Sequence, residues 1–217
     1  MSNLNFPAMR RAMVDSQLRT NAVNDPRVTA AIESVAREDF VPADKRAMAY
    51  TDRAVPLAGA RAMNPALVTA RLIVEAGIAA GDAVLIVGAA SGYAAAVIAG
   101  LGANVVALES DAALVAEAKA LLKAVAGVTV VSGDLTKGHA KGAPYNVILV
   151  DGAIEQVPDA LIRQLAEGGR LAAAVIDGGV SRLCVGYKAG AGFGLHPVMD
   201  ADAVVLPGFE KPKGFTF

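Results

Sequence analysis

The stretch Ala83-Val84-Leu85-Ile86-Val87-Gly88-Ala89-Ala90-Ser91-Gly92-Tyr93 decides the fold. Five apolar residues in a row run without alternation into a loop of glycine, alanine and serine, and Tyr93 to Ala99 then reads as a helix. A strand that is apolar on both faces belongs inside a parallel sheet covered by helices. Further apolar runs at Asn104 to Leu108, Val128 to Val131 and Tyr145 to Val150 repeat the signal, with a longer helical segment from Asp111 to Ala124. The pattern predicts an α/β fold, a doubly wound and mostly parallel sheet.

Working outward, Met9, Met13, Val14 and Leu18 share a helical face, and Asp25-Pro26 reads as an N-cap with proline at the first helical position. Asn64-Pro65 repeats that signal ahead of Val68, Leu72 and Ile73, with Gly77 as the C-cap. Residues 1–76 are therefore expected to form an N-terminal helical and substrate-loop extension packed on a core of residues 77–217. Beyond a helix at Pro158 to Leu165, the segments Arg170 to Ile176, Leu183 to Tyr187 and Val198 to Leu206 are candidate strands.

The chain has 217 residues, few enough for a single core. Twenty Lys and Arg against 21 Asp and Glu leave a net charge of −1, no surplus to neutralise a phosphate backbone, so nucleic acid is not expected as a partner. Mean hydropathy is +0.46, but alanine carries much of it and no run reaches about 18 apolar residues, so no membrane span is expected. The opening residues lack the apolar segment of a signal peptide, and the single cysteine, Cys184, has no partner for an internal disulfide. A cytoplasmic location is the expectation.

The loop Gly88-Ala89-Ala90-Ser91-Gly92 follows the first central strand, where an open α/β sheet binds its ligand. Glu109 ends the next strand about 20 residues later, where a carboxylate can accept both hydroxyls of a ribose. The phosphate-bearing nucleotides fit poorly. A dinucleotide fingerprint wants glycine where Ala90 and Tyr93 stand, and a phosphate-binding P-loop wants Gly-Lys-Ser or Gly-Lys-Thr, which does not follow Gly88. S-adenosylmethionine, with a ribose and no phosphate, fits better. The candidate cofactor-binding residues are Gly88, Ala89, Ala90, Ser91, Gly92, Glu109, Ser110, Gly133, Asp134, Leu135 and Asp151, with Asp134 expected beside the adenine.

Met13-Val14-Asp15-Ser16-Gln17-Leu18-Arg19, Asp25-Pro26-Arg27-Val28, Ala36-Arg37-Glu38-Asp39-Phe40-Val41-Pro42 and Ala49-Tyr50-Thr51-Asp52 occur in that order. They are followed by Ser91-Gly92-Tyr93, Ser132-Gly133-Asp134, Gly142-Ala143-Pro144-Tyr145 and Gly168-Gly169-Arg170-Leu171. Along nearly its whole length the chain resembles the protein-L-isoaspartate O-methyltransferases, as a divergent member. The resemblance implies the S-adenosylmethionine-dependent methyltransferase (Rossmann-like) fold. It also implies methyl transfer to the side-chain carboxylate of isoaspartate in a damaged protein or peptide. Such a nucleophile is already ionised at pH 7, so alignment matters more than a general base, and neither His139 nor His196 is expected to be catalytic. No metal is implied.

The chain departs from the family at the site. The family's substrate loop usually reads Gly-Gln-Thr-Ile-Ser-Gln-Pro; here Gly59-Ala60-Arg61-Ala62-Met63-Asn64-Pro65 puts Arg61 at the threonine and Met63 at the serine. Ile86 replaces a common acidic residue, and Asp151 brings a carboxylate to a stretch usually Thr-Ala-Ala. Arg61, Met63 and Asp151 are the candidates for the catalytic face, with Arg61 able to pair with an acceptor carboxylate. Slow transfer to isoaspartyl peptides is expected. A small-molecule carboxylate acceptor, or a cofactor-binding relative without transfer activity, are the alternatives.

Overall fold

The computed structural model describes residues 4–211. Helix α1 (Phe6–Met13) is capped by the Asn5 side chain and runs into a π-helical turn, Val14–Leu18, that buries Val14 and Leu18. Helix α2 (Pro26–Ser34) starts on Asp25, whose carboxylate accepts the Arg27 N–H, as the proline signal predicts. A two-strand hairpin, β1 (Val55–Pro56) with β2 (Ala62–Met63), precedes α3 (Ala66–Ala76), which Gly77 ends in the left-handed region.

The central elements are β3 (Ala83–Val87), α4 (Tyr93–Gly100), β4 (Asn104–Glu109), α5 (Ala112–Leu121), β5 (Val128–Ser132), β6 (Tyr145–Ile154), α6 (Asp159–Gln164), β7 (Leu165–Asp177), β8 (Val180–Ala189) and β9 (Gly192–Asp200). They build one seven-stranded sheet of order β5-β4-β3-β6-β7-β8-β9. Strands β3 to β7 are parallel, while β8 and β9 are antiparallel additions. The doubly wound, mostly parallel expectation holds. Val84, Leu85, Ile86 and Val87 are all fully buried, as an uninterrupted apolar strand requires.

Two elements differ from the sequence reading. Gly190, with φ of +56°, lets β8 turn back at once, so β9 starts at Gly192 and ends at Asp200 rather than running from Val198 to Leu206. Within Ala203 to Leu206 the sheet contact is a single parallel bridge from Val205 to Ala153. Asn64 does not cap α3 with its side chain, because its amide is engaged elsewhere in the site.

A fully buried cation, Arg37, joins parts of the N-terminal segment to one another and to the start of α4. Arg37 donates from Nε to Ala49 O at 2.7 Å and from Nη2 to Asn64 O at 2.5 Å, and its guanidinium lies 4.7 Å from the centre of the Tyr93 ring. Burial pulls its pKa down from the ordinary arginine value, against the neighbouring Tyr93 and Asp151. Ser91, in the glycine loop, donates to Phe40 O at 2.6 Å. Side chains from α1 to α3 share one apolar cluster with β3, β4 and β6.

Candidate cofactor and acceptor site

Strands β4 and β6 flank β3 on opposite sides, so the chain order reverses at β3, and Gly88 stands at the carboxyl end of that strand. Gly88 has φ of +79° and Gly92 φ of +99°, a region where a side chain is strained. A Cβ on Gly88 would come within 2.8 Å of Leu206 Cδ1 and 3.4 Å of Arg61 Nη2, and one on Gly92 within 2.6 Å of Leu122 Cδ1. Ala90 takes a positive φ of 49° despite its methyl group. That geometry aims the Ala90 N–H at Glu109 Oε2, 2.8 Å away.

Glu109 is fully buried and saturated with donors. Its Oε1 accepts from Ser110 N at 2.8 Å, Asp111 N at 3.0 Å and Ser110 Oγ at 3.3 Å. Its Oε2 accepts from Ala90 N and, at 2.9 Å, from Arg61 Nη2. Arg61 is only 8% exposed, and among the described residues its Nε and Nη1 find no hydrogen-bond partner. The sequence suggested an arginine aimed at an acceptor carboxylate; the fold points it at the chain's own Glu109. The reason is the hairpin, whose tip between β1 and β2 folds over the start of α5, so that a Cβ added at Gly59 would lie 3.6 Å from Asp111 Oδ2.

Met63 is 3% exposed and packs in the larger apolar cluster, so it presents no polar group to the site. Asp151 is held by Asn64 Nδ2 at 2.9 Å and Thr69 Oγ1 at 3.2 Å. The residue keeps some accessible surface, yet its carboxyl is enclosed by protein. Burial outweighs these donors and the positive Arg37 and Arg61, raising its pKa above the ordinary carboxylate value. In the loops after β4 and β5, Ser110 is exposed, Gly133 is half-buried and Leu135 is buried. Asp134 is exposed and acts as a local cap, accepting from Thr136 N at 2.9 Å and Thr136 Oγ1 at 2.7 Å, with Lys137 Nζ at 3.4 Å. These partners, the Thr136 hydroxyl first, hold its carboxyl below the usual range.

The family model described as protein-L-isoaspartate(D-aspartate) O-methyltransferase matches residues 8–193. The chain belongs to this family. It is thereby a methyltransferase of an S-adenosylmethionine-dependent family. Among curated relatives it is 39% identical over 168 residues to the protein-L-isoaspartate O-methyltransferase of Koribacter versatilis, covering 76% of each chain. It is 41% identical over 165 residues to that of Methylorubrum populi, covering 76% of this chain and 78% of the other.

Solved protein-L-isoaspartate O-methyltransferases share the fold. One superposes with a TM-score of 0.80 at 22% identity, over 92% of this chain and 66% of the other. A second, from Plasmodium falciparum and in complex with S-adenosyl-L-homocysteine, gives 0.78 at 16% identity, over 93% of this chain and 97% of the other. The family match stops at residue 193, short of Ala203 to Leu206.

That segment reaches the site. Asn64 Oδ1 accepts the Val204 N–H at 2.8 Å, and Leu206 packs where a Cβ on Gly88 or Gly152 would stand. Asn64, Thr69 and Leu206 are site residues that sequence reading passed over. A signal existed for one of them. Asn64 holds the family's usual glutamine position and Asp151 lies in the usual Thr-Ala-Ala stretch, and these two departures are in contact.

Proposed function

We propose that the protein transfers the methyl group of S-adenosylmethionine to the side-chain carboxylate of an isoaspartyl residue in a damaged protein or peptide. The observation that carries this reading is the buried acid Glu109 beside the small-residue loop Gly88 to Gly92, at the point where the strand order reverses. The donor set suits a nucleoside without phosphate: a carboxylate for a ribose diol, main chain for close approach, and no lysine following the loop.

Bound S-adenosylmethionine supplies an electrophilic methyl group on sulfur. The chain's residues have the tasks of holding and aligning. Glu109 would accept from the ribose, and the Gly88 main chain would meet the ligand where Leu206 and Arg61 now stand. Asp134 could take the adenine amine on Oδ2, the oxygen it shares with Lys137. An ionised acceptor needs no proton removed, so rate depends on placement, and an error of about 1 Å can cost about 100-fold. With Arg61 and Met63 in place of the loop hydroxyls, turnover on isoaspartyl peptides is expected to be slow.

Labelled S-adenosylmethionine, offered with an isoaspartyl peptide and its aspartyl counterpart, tests the reading. Methylation of the isoaspartyl form alone supports it. Equal labelling of both, by protein that binds S-adenosyl-L-homocysteine, would remove the acceptor assignment.

A further inference from the structure

We propose that Arg61 is an exchangeable latch on the nucleoside site: it occupies the position on Glu109 that the ribose takes, and must leave before the ribose enters. The proposal rests on the reading of this cleft as a nucleoside site. Its basis is a count of lone pairs. An ionised carboxylate offers about four acceptor positions. Glu109 already receives five donors, three on Oε1 and two on Oε2. A ribose diol therefore cannot be added; it has to replace something.

Two of the five donors can leave without moving the main chain at the end of β4: the Ser110 hydroxyl, at 3.3 Å on an exposed residue, whose rotation opens a position on Oε1 only, and Arg61, whose departure opens Oε2. Ala90 N belongs to the glycine loop, and Ser110 and Asp111 lead directly into α5, where Asp111 caps the first turn. Arg61 comes from a different element, the hairpin tip, whose residues Ala58, Gly59 and Ala60 are exposed. That tip is closed by Leu57 N to Arg61 O at 2.9 Å and Arg61 N to Ala58 O at 3.3 Å, and its strands pair at two positions.

The guanidinium is also poorly satisfied where it stands. With Nε and Nη1 buried and unpartnered among the described residues, it gains one charge-assisted bond and leaves two donors desolvated. The Arg61 side chain therefore lowers the apparent affinity for any ligand that needs Glu109, because only the fraction of molecules with the pair open is competent.

Adenosine is the probe, since it carries the ribose and base alone. Titration calorimetry on the whole chain compares wild type with Arg61→Ala and, should alanine impair folding, Arg61→Gln. Both variants are expected to bind adenosine roughly tenfold tighter or more, by the cost of opening one charged hydrogen bond. A purely structural arginine would give the opposite sign, a loss. Binding by wild type that is unchanged or weakened in folded variants overturns the latch and leaves the nucleoside reading standing. Absence of binding by every protein removes the nucleoside reading and the latch with it. Binding by the variants alone supports both.

Discussion

Asn64 donates from Nδ2 to both the carbonyl oxygen and Oδ1 of Asp151, each at 2.9 Å, while its own Oδ1 accepts the Val204 N–H. One amide thus joins the hairpin to the end of β6 and to the C-terminal segment. Asn64→Ala strands the Val204 N–H and takes a donor from Asp151, and an unsatisfied buried group costs about 1–3 kcal/mol. The expected outcome is a lower urea midpoint together with faster hydrogen exchange at Val204 and Leu206. Unchanged exchange at those amides would show that the segment is held by other contacts.

Asp151 sets a pH dependence whose sign follows from its burial. Its folded pKa lies above the ordinary 3.8, so the folded state holds the proton more tightly than the unfolded chain does. That contribution is complete below the ordinary value and is lost as pH rises through the folded one. Asp151→Asn keeps an oxygen for Asn64 and Thr69 and carries no charge. Relative to it, wild type should lose stability from about pH 4 upward, levelling off above the folded pKa. A stability difference that stays constant over that range in urea titrations would contradict the assignment.

Ala90 holds a left-handed backbone with a methyl group in the way, at the position where a dinucleotide fingerprint has glycine. Replacing it by glycine relieves the clash but adds flexibility to the unfolded chain, and the balance at a positive φ favours glycine. Ala90→Gly should stabilise the protein by about 0.5–1 kcal/mol in chemical denaturation. A loss of stability would mean that the methyl contributes more through packing than it costs in strain.

The Arg61 and Glu109 pair is buried on both sides, so its members should not behave independently. Glu109→Ala leaves a buried guanidinium and three main-chain N–H groups without an acceptor, at a cost of about 3–5 kcal/mol. Adding Arg61→Ala removes the stranded charge. The double variant should therefore be less destabilised than the sum of the two single ones, by about 0.5–3 kcal/mol. Additivity in a double-mutant cycle would show that the contact contributes nothing to folding.

The sequence by itself determined the parallel sheet, because a buried strand must be apolar on both faces and Val84 to Val87 are. It also located the ends of β3 and β4, the loop Gly88 to Gly92 and the acid Glu109, since these are adjacent in the chain or separated by one strand–helix unit. The helix starting at Pro26 was equally legible, because a cap and a proline act within one turn. Only the tertiary structure decided what Glu109, Asp151 and Asn64 touch. Arg61 lies 48 residues from Glu109, Asn64 lies 87 from Asp151, and Val204 lies 140 from Asn64. No local period or spacing encodes such pairs. They arise because the hairpin and the C-terminal segment fold over the carboxyl ends of β3, β4 and β6, where burial obliges each polar group to find a partner from whichever element arrives.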